Sequence, residues 1–187
     1  MSDLPTWLML GFRHIADLSA MDHLLFLIAL VAPYRLGDWR RLVLVASAFT
    51  VGHSITLAFT VLNRPVLPTP LIEFLIPVTI IITAVLNLSR GRETITPMRS
   101  AAIALGFGLI HGAGFANFLR TLFEGPIVLP LLGFNLGIEL GQLLIIAAAL
   151  VAFGLLDRVL TIRLRARAAS MATAAWAIMV AAERVPW

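Results

Sequence analysis

Apolar residues in this chain come in long runs, separated by short breaks of proline, glycine and arginine. Six runs approach or exceed the length of about 20 residues that a helix needs to cross a hydrocarbon core. They cover approximately residues 7–32, 42–62, 71–88, 100–122, 127–155 and 168–182. Pro33 and Gly37, with Asp38, Arg40 and Arg41, end the first run. The turn Asn63-Arg64-Pro65, followed by Pro68 and Pro70, ends the second. A polar loop with Arg90, Arg92 and Arg99 follows the third, and Glu124-Gly125-Pro126 follows the fourth. Arg158, Arg163, Arg165 and Arg167 form the loop after the fifth. The pattern predicts an all-α fold: a single-domain, polytopic membrane bundle of about six transmembrane helices. Pro77 predicts a kink in the third helix.

The polar residues inside these runs change the picture. A carboxylate at mid-helix costs about 2.5–3.5 kcal/mol on insertion scales, so several of them persist only if they face one another, water or a metal ion. All four histidines fall inside apolar stretches. The first run holds His14, Asp17, Asp22 and His23 just ahead of the unbroken apolar segment 24–32. His53 lies in the second run, His111 in the fourth, and Glu139 in the fifth. At about 1.5 Å per residue, His53, His111 and Glu139 lie roughly 16–18 Å from the end of their helices, near the middle of a ~30 Å core. Asp22 and His23 are expected somewhat closer to the inner side. His14, Asp17 and Glu73 are expected as a second group in the outer half, so that a polar path leads from outside to a midplane site. Each histidine alone also fits a plain helix–helix hydrogen bond, as His53 beside Ser54 and Thr56 illustrates.

Glycine patterning adds two packing expectations. Gly106, Gly108, Gly112 and Gly114 bracket His111 and point to close backbone packing or a local break there. In the fifth run Asn135, Glu139 and Gln142 form one polar face, and Gly133, Gly137 and Gly141 a small-residue face suited to a neighbouring helix or a second copy of the chain.

Composition agrees. The 187 residues are 60% hydrophobic and 13% charged, against about 25% charged in a soluble domain; mean hydropathy is +0.97. Lysine is absent, and the 14 basic residues are all arginine. Ten of them fall in the odd-numbered loops and three on the opposite side. That bias argues for odd loops in the cytoplasm and both termini outside, and against a nucleic-acid surface. With no cysteine, disulfides and thiolate sites are excluded. The first segment, MSDLPTW, lacks a basic n-region and a small-residue cleavage pattern, so the first span is expected to be retained. Imidazoles with carboxylates suit Ni, Co, Zn or Cu ions, whereas Mg and Ca want oxygen ligands.

The segments GFRHIADLSAMDHLLFL, FTVGHSITL, FGLIHGAGFA and FNLGIELGQ resemble, in that order, the signatures of the HupE/UreJ family of bacterial membrane proteins. The family pattern has a glycine and closer spacing between its first histidine and the Asp-His pair, where Leu18-Ser19-Ala20-Met21 stands here. The resemblance implies nickel or cobalt handling in a bacterial inner (cytoplasmic) membrane, with His14, Asp22, His23, His53, His111, Asn135 and Glu139 as motif positions. Two function classes follow. One is a divalent-metal transporter with a metal site of His14, Asp22, His23, His53, His111 and Glu139, supported by Asp17, Glu73, Asn135 and Gln142. No ATP-binding motif is present, so it would run on a gradient or on sequestration. The other is a zinc-like intramembrane hydrolase acting on a lipid or membrane peptide, with Glu139 or Asp22 as base and Ser54 orienting substrate. Haem held by paired histidines is a third class, with no sequence feature pointing to it.

Overall fold

The computed structural model describes residues 3–18, 21–62, 67–89, 96–122 and 127–186, with the side chains of all but 117, 118 and 120. The described chain is all helical: α1 (Leu4–Ile15), α2 (Asp22–Val31), α3 (Trp39–Val61), α4 (Thr69–Ser89), α5 (Pro97–Leu122), α6 (Val128–Leu156) and α7 (Ile162–Glu183), with a short 3-10 turn at Leu36–Asp38 before α3. The turns expected at Asn63-Arg64-Pro65 and Glu124-Gly125-Pro126, and the loop arginines Arg90 and Arg92, lie outside the described residues.

Three segments are each long and apolar enough to cross a membrane: Leu36–Val61, Thr69–Ser89 and Val128–Leu156. The first expected span is not one helix. It is divided into α1 of 12 residues and α2 of 10. At 1.5 Å per residue these are roughly 18 Å and 15 Å long, so neither crosses alone. The outward faces are apolar, as a bilayer requires. Leu132, Leu136, Leu140 and Leu144 recur every four residues on α6, and Val51, Ile55 and Phe59 do so on α3; all are exposed.

Two helix pairs are joined backbone to backbone through glycine. On the α3–α5 contact Gly52 lies against the Leu105 carbonyl, Gly108 against the Phe49 carbonyl and Gly112 against the backbone of His53. Residue numbers rise together along the contact, so α3 and α5 run parallel. On the α1–α6 contact Gly137 meets the Leu8 carbonyl, Gly133 meets Trp7 and Gly141 meets Ile15, again in parallel. This overturns the suggestion that Gly133, Gly137 and Gly141 form an oligomer face. That face is already filled by α1 of the same chain. α5 also runs unbroken through His111, so its glycines serve close approach rather than a local break. Pro77 sits buried inside α4 without ending it.

The loop reading of Arg163, Arg165 and Arg167 is corrected too. α7 starts at Ile162, where the Thr161 side chain caps it by accepting from the Leu164 N–H at 3.3 Å. Arg165 is therefore helical, and 2% exposed. Its Nε donates to Asp157 Oδ1 at 2.7 Å, Nη1 to the Ala32 carbonyl at 2.7 Å and Nη2 to the Tyr34 carbonyl at 3.1 Å. Its guanidinium also lies over the Phe153 ring. A planar five-donor group can satisfy all these acceptors at once, which lysine cannot. It ties the C-terminal end of α2 to α6 and α7. Asn87 on α4 adds a second tie, donating to the Ala29 carbonyl at 2.8 Å and to Ser170 Oγ at 3.2 Å.

Candidate metal centre

The site forms where the first span is interrupted. His14 lies in the last turn of α1, and Asp22 and His23 open α2. Two half-helices thus bring their ends, and the polar groups that ends expose, into the interior of the bundle. α3 supplies His53 and α5 supplies His111. The close approach at Gly108 and Gly112 sets these two histidines side by side, since Gly112 abuts His53 and directly follows His111.

The four rings form a cluster. His23 is 4.7 Å from His14, 6.0 Å from His53 and 5.0 Å from His111, between ring centroids; His14 is 5.9 Å from His53. One nitrogen each from His14, His23 and His53 can be chosen so that all three lie within 4.8 Å of one another. Ligands on a tetrahedral ion with ~2.0–2.1 Å bonds sit about 3.3 Å apart, so no pair in this triad has to close by more than roughly 1.5 Å to grip one. Phenylalanines wall the cluster. Phe115 packs on His14 at 3.9 Å, Phe134 on His14 at 5.6 Å, and Phe26 and Phe49 on His111 at 5.3 and 5.1 Å.

Such surroundings should leave no polar atom idle, because an unsatisfied buried donor or acceptor costs about 1–3 kcal/mol. Yet His14 Nε2, His23 Nε2, both ring nitrogens of His53, His111 Nδ1 and Asp22 Oδ1 are buried without a hydrogen-bond partner among the described residues. Asn135 Oδ1 and Gln142 Oε1 are likewise unpartnered, but only His14, His23 and His53 bring such nitrogens together in a group that could hold a metal ion. A cleft of about 710 Å³, lined among others by Arg13, Asp17, Phe115 and His14 itself, leads to its edge.

The expected site residues therefore separate. His14 leaves the proposed outer group and joins His23 and His53. Asp17 and Glu73 are exposed; Asp17 lines the cleft beside His14, and Glu73 stands apart on α4. Asp22 accepts from Arg184 Nη1 at 3.2 Å through Oδ2. His111 spends Nε2 on Thr79 Oγ1 at 2.9 Å. Glu139 falls outside the three-nitrogen group: Ser47 Oγ donates to its Oε1 at 2.6 Å, and Ser47 lies six residues, roughly 9 Å of helix, before His53. Gln142 is buried and donates to Thr50 Oγ1, so it ties α6 to α3. Asn135 donates to the Leu131 carbonyl of its own helix. Ser54 does the same to the Thr50 carbonyl at 2.7 Å.

A family model described as HupE / UreJ protein matches residues 1–184. The chain belongs to the HupE/UreJ family. No curated protein and no solved structure matches it. At the site of this HupE/UreJ protein, the contacts of Thr79 with His111 and of Arg184 with Asp22 were not anticipated from sequence. Thr79 and Thr83 lie four apart on α4, one helical turn, and Thr83 Oγ1 donates to the Thr79 carbonyl at 2.8 Å. Arg184, a charge closing an alanine-rich helix, was visible only as a loop residue.

Proposed function

We propose that this HupE/UreJ protein carries a divalent transition-metal ion of the nickel or cobalt class across the bacterial cytoplasmic membrane. His14, His23 and His53 form the ion's central site, with Asp22 as the adjacent carboxylate. The observation that carries this reading is the convergence of two buried imidazoles, His23 and His53, and the half-buried His14, each with an unpartnered buried nitrogen among the described residues, at the break between α1 and α2. Neutral imidazole suits Ni, Co and Zn and does not suit Mg or Ca. Discontinuous helices that meet at mid-depth are how many transporters build their ion sites. The association of the HupE/UreJ family with nickel and cobalt narrows the class of cargo. The cleft beside Asp17 and His14 gives the ion a way in, with Phe115 at its inner wall. With Arg163, Arg165 and Arg167 left out, because α7 takes them up, seven arginines against three still support odd loops in the cytoplasm and termini outside.

The hydrolase reading gains no support. Ser54, Glu139 and Asp22 are each engaged with Thr50, Ser47 and Arg184.

The test is uptake of Co²⁺ and Ni²⁺ into liposomes holding the purified protein, read by an internal metal-sensitive dye. Saturable influx that His53→Ala abolishes is the expected result. If the protein instead keeps one ion per chain through exhaustive chelation and shows no flux, the metal is a resident cofactor and the transport reading is wrong.

A further inference from the structure

Arg184 is the C-cap of α7, at the other end of that helix from Arg165. Its Nη1 reaches Asp22 Oδ2 at 3.2 Å, joining residues 162 positions apart in the chain. Asp22 is the first residue of α2 and directly precedes His23 of the imidazole triad. Its second oxygen, Oδ1, is buried without a partner. A guanidinium keeps its charge at every pH a protein meets. A fixed cation thus already occupies one side of the carboxylate that directly precedes His23 of the triad.

Two arginines of the same helix show how differently such a group can be held. Arg165 is almost fully buried and bonded to Asp157 and two carbonyls. Among the described residues the Arg184 side chain bonds to Asp22 through a single Nη, and it is 33% exposed. It sits at a helix end, where a long aliphatic stem can carry the charged head outward to the interface. The first arrangement is built to stay. The second is built to let go.

We infer that Arg184 is a tethered competitor for Asp22, neutralising the carboxylate while the site is empty and yielding it when a divalent metal ion arrives. This rests on the proposed role of the imidazole triad as a metal site, and adds the control of that site. The exchange keeps the buried carboxylate paired in both states, which limits the cost of an isolated charge. It also discriminates by charge. A monovalent ion gains no more from Asp22 than the guanidinium already does, while a dication bound to the imidazoles gains more.

The test is a Co²⁺ titration of the full-length protein in detergent, followed by visible absorption of the bound ion. Arg184→Gln is expected to tighten binding about tenfold, one decade in Kd, and Arg184→Lys to stay near the parent. Asp22→Asn is expected to weaken binding and to erase the effect of Arg184→Gln in the double variant. Arg184→Met carries the same expectation as Arg184→Gln, should the latter fail to give a monodisperse helical protein. A residue that only props up the fold would weaken binding when replaced. Weaker or unchanged binding in Arg184→Gln or Arg184→Met therefore overturns the inference while the triad stands. If the parent protein binds no Co²⁺, and His14→Ala and His53→Ala behave as it does, the triad reading falls and takes the inference with it.

Discussion

Replacing Gly112 by alanine tests the construction of the site more directly than removing a histidine. A Cβ on Gly112 would lie 2.9 Å from His53 Cα and 3.0 Å from its carbonyl carbon. Carbon atoms rest about 3.5–4.0 Å apart, so α3 and α5 must separate there by roughly 0.5–1 Å. The obstacle is backbone, which cannot swing aside as a side chain does. Overpacking of this kind costs about 1–3 kcal/mol, partly offset by the 0.5–1 kcal/mol that alanine gains over glycine in a helix. Gly106 supplies the control. It lies on the same helix, less than two turns away, and a Cβ there meets nothing within 4 Å. Gly106→Ala is therefore expected to raise stability by several tenths of a kcal/mol to about 1 kcal/mol, and Gly112→Ala to lower it by about 1–2 kcal/mol. Because the displaced backbone is that of His53, Gly112→Ala should also weaken Co²⁺ binding. Thermal unfolding in detergent followed by circular dichroism gives the first quantity and Co²⁺ titration the second. If Gly112→Ala matches Gly106→Ala in both, the backbone contact that positions His53 is absent and the account of the site is refuted.

Other expectations follow from the same geometry. Arg165→Met leaves Asp157 and the carbonyls of Ala32 and Tyr34 without their donor and should cost about 3 kcal/mol, read as a lowered unfolding midpoint; Arg165→Lys should recover only part of it. Alanine at His14, His23 or His53 should each weaken Co²⁺ binding by more than about 100-fold, whereas alanine at His111, whose Nε2 is held by Thr79, should stay within the ~10–100-fold range of a supporting residue; equal losses at all four would mean a four-imidazole site. Gly137→Leu should destabilise the isolated chain by forcing α1 off α6, and size-exclusion with light scattering should find its oligomeric state unchanged.

Three of the expected runs correspond to helices long and apolar enough to cross a membrane, and their ends were legible because they are chemical. Proline, glycine and arginine end an apolar run wherever it occurs, and α3, α4 and α6 begin and end within three residues of the positions expected for them. The break inside the first run was not legible, since Leu18 to Met21 contains neither proline nor glycine. Reading that run as one straight helix put His14 near the outer face. Dividing it brings His14 back beside His23 and His53. Arginine posed the opposite difficulty. A loop arginine and a buried one look alike in sequence, and only the acceptors gathered from Asp157, Ala32 and Tyr34 tell Arg165 apart. The small-residue stripe of α6 announced a tight partner and could not say which; α1, 130 residues earlier, fills it. Glu139 matched the depth of the histidines along its own helix, but depth says nothing of direction around the axis, and that direction gives it to Ser47.

The way α2 is held has a mechanical consequence. Arg165 and Asn87 fasten its C-terminal end, while its N-terminal end carries Asp22 and His23 and follows the break. It is a lever about 15 Å long with its pivot at the pinned end. A tilt of about 10° moves the working end by roughly 2.5 Å, more than the ~1.5 Å that is the most any pair of the imidazoles must close on an ion. In the proposed transporter, gripping and releasing the ion would ask for no sliding of the long helices past one another, whose glycine contacts would resist it. One short arm, turning on an arginine at the far side of the bundle, is enough.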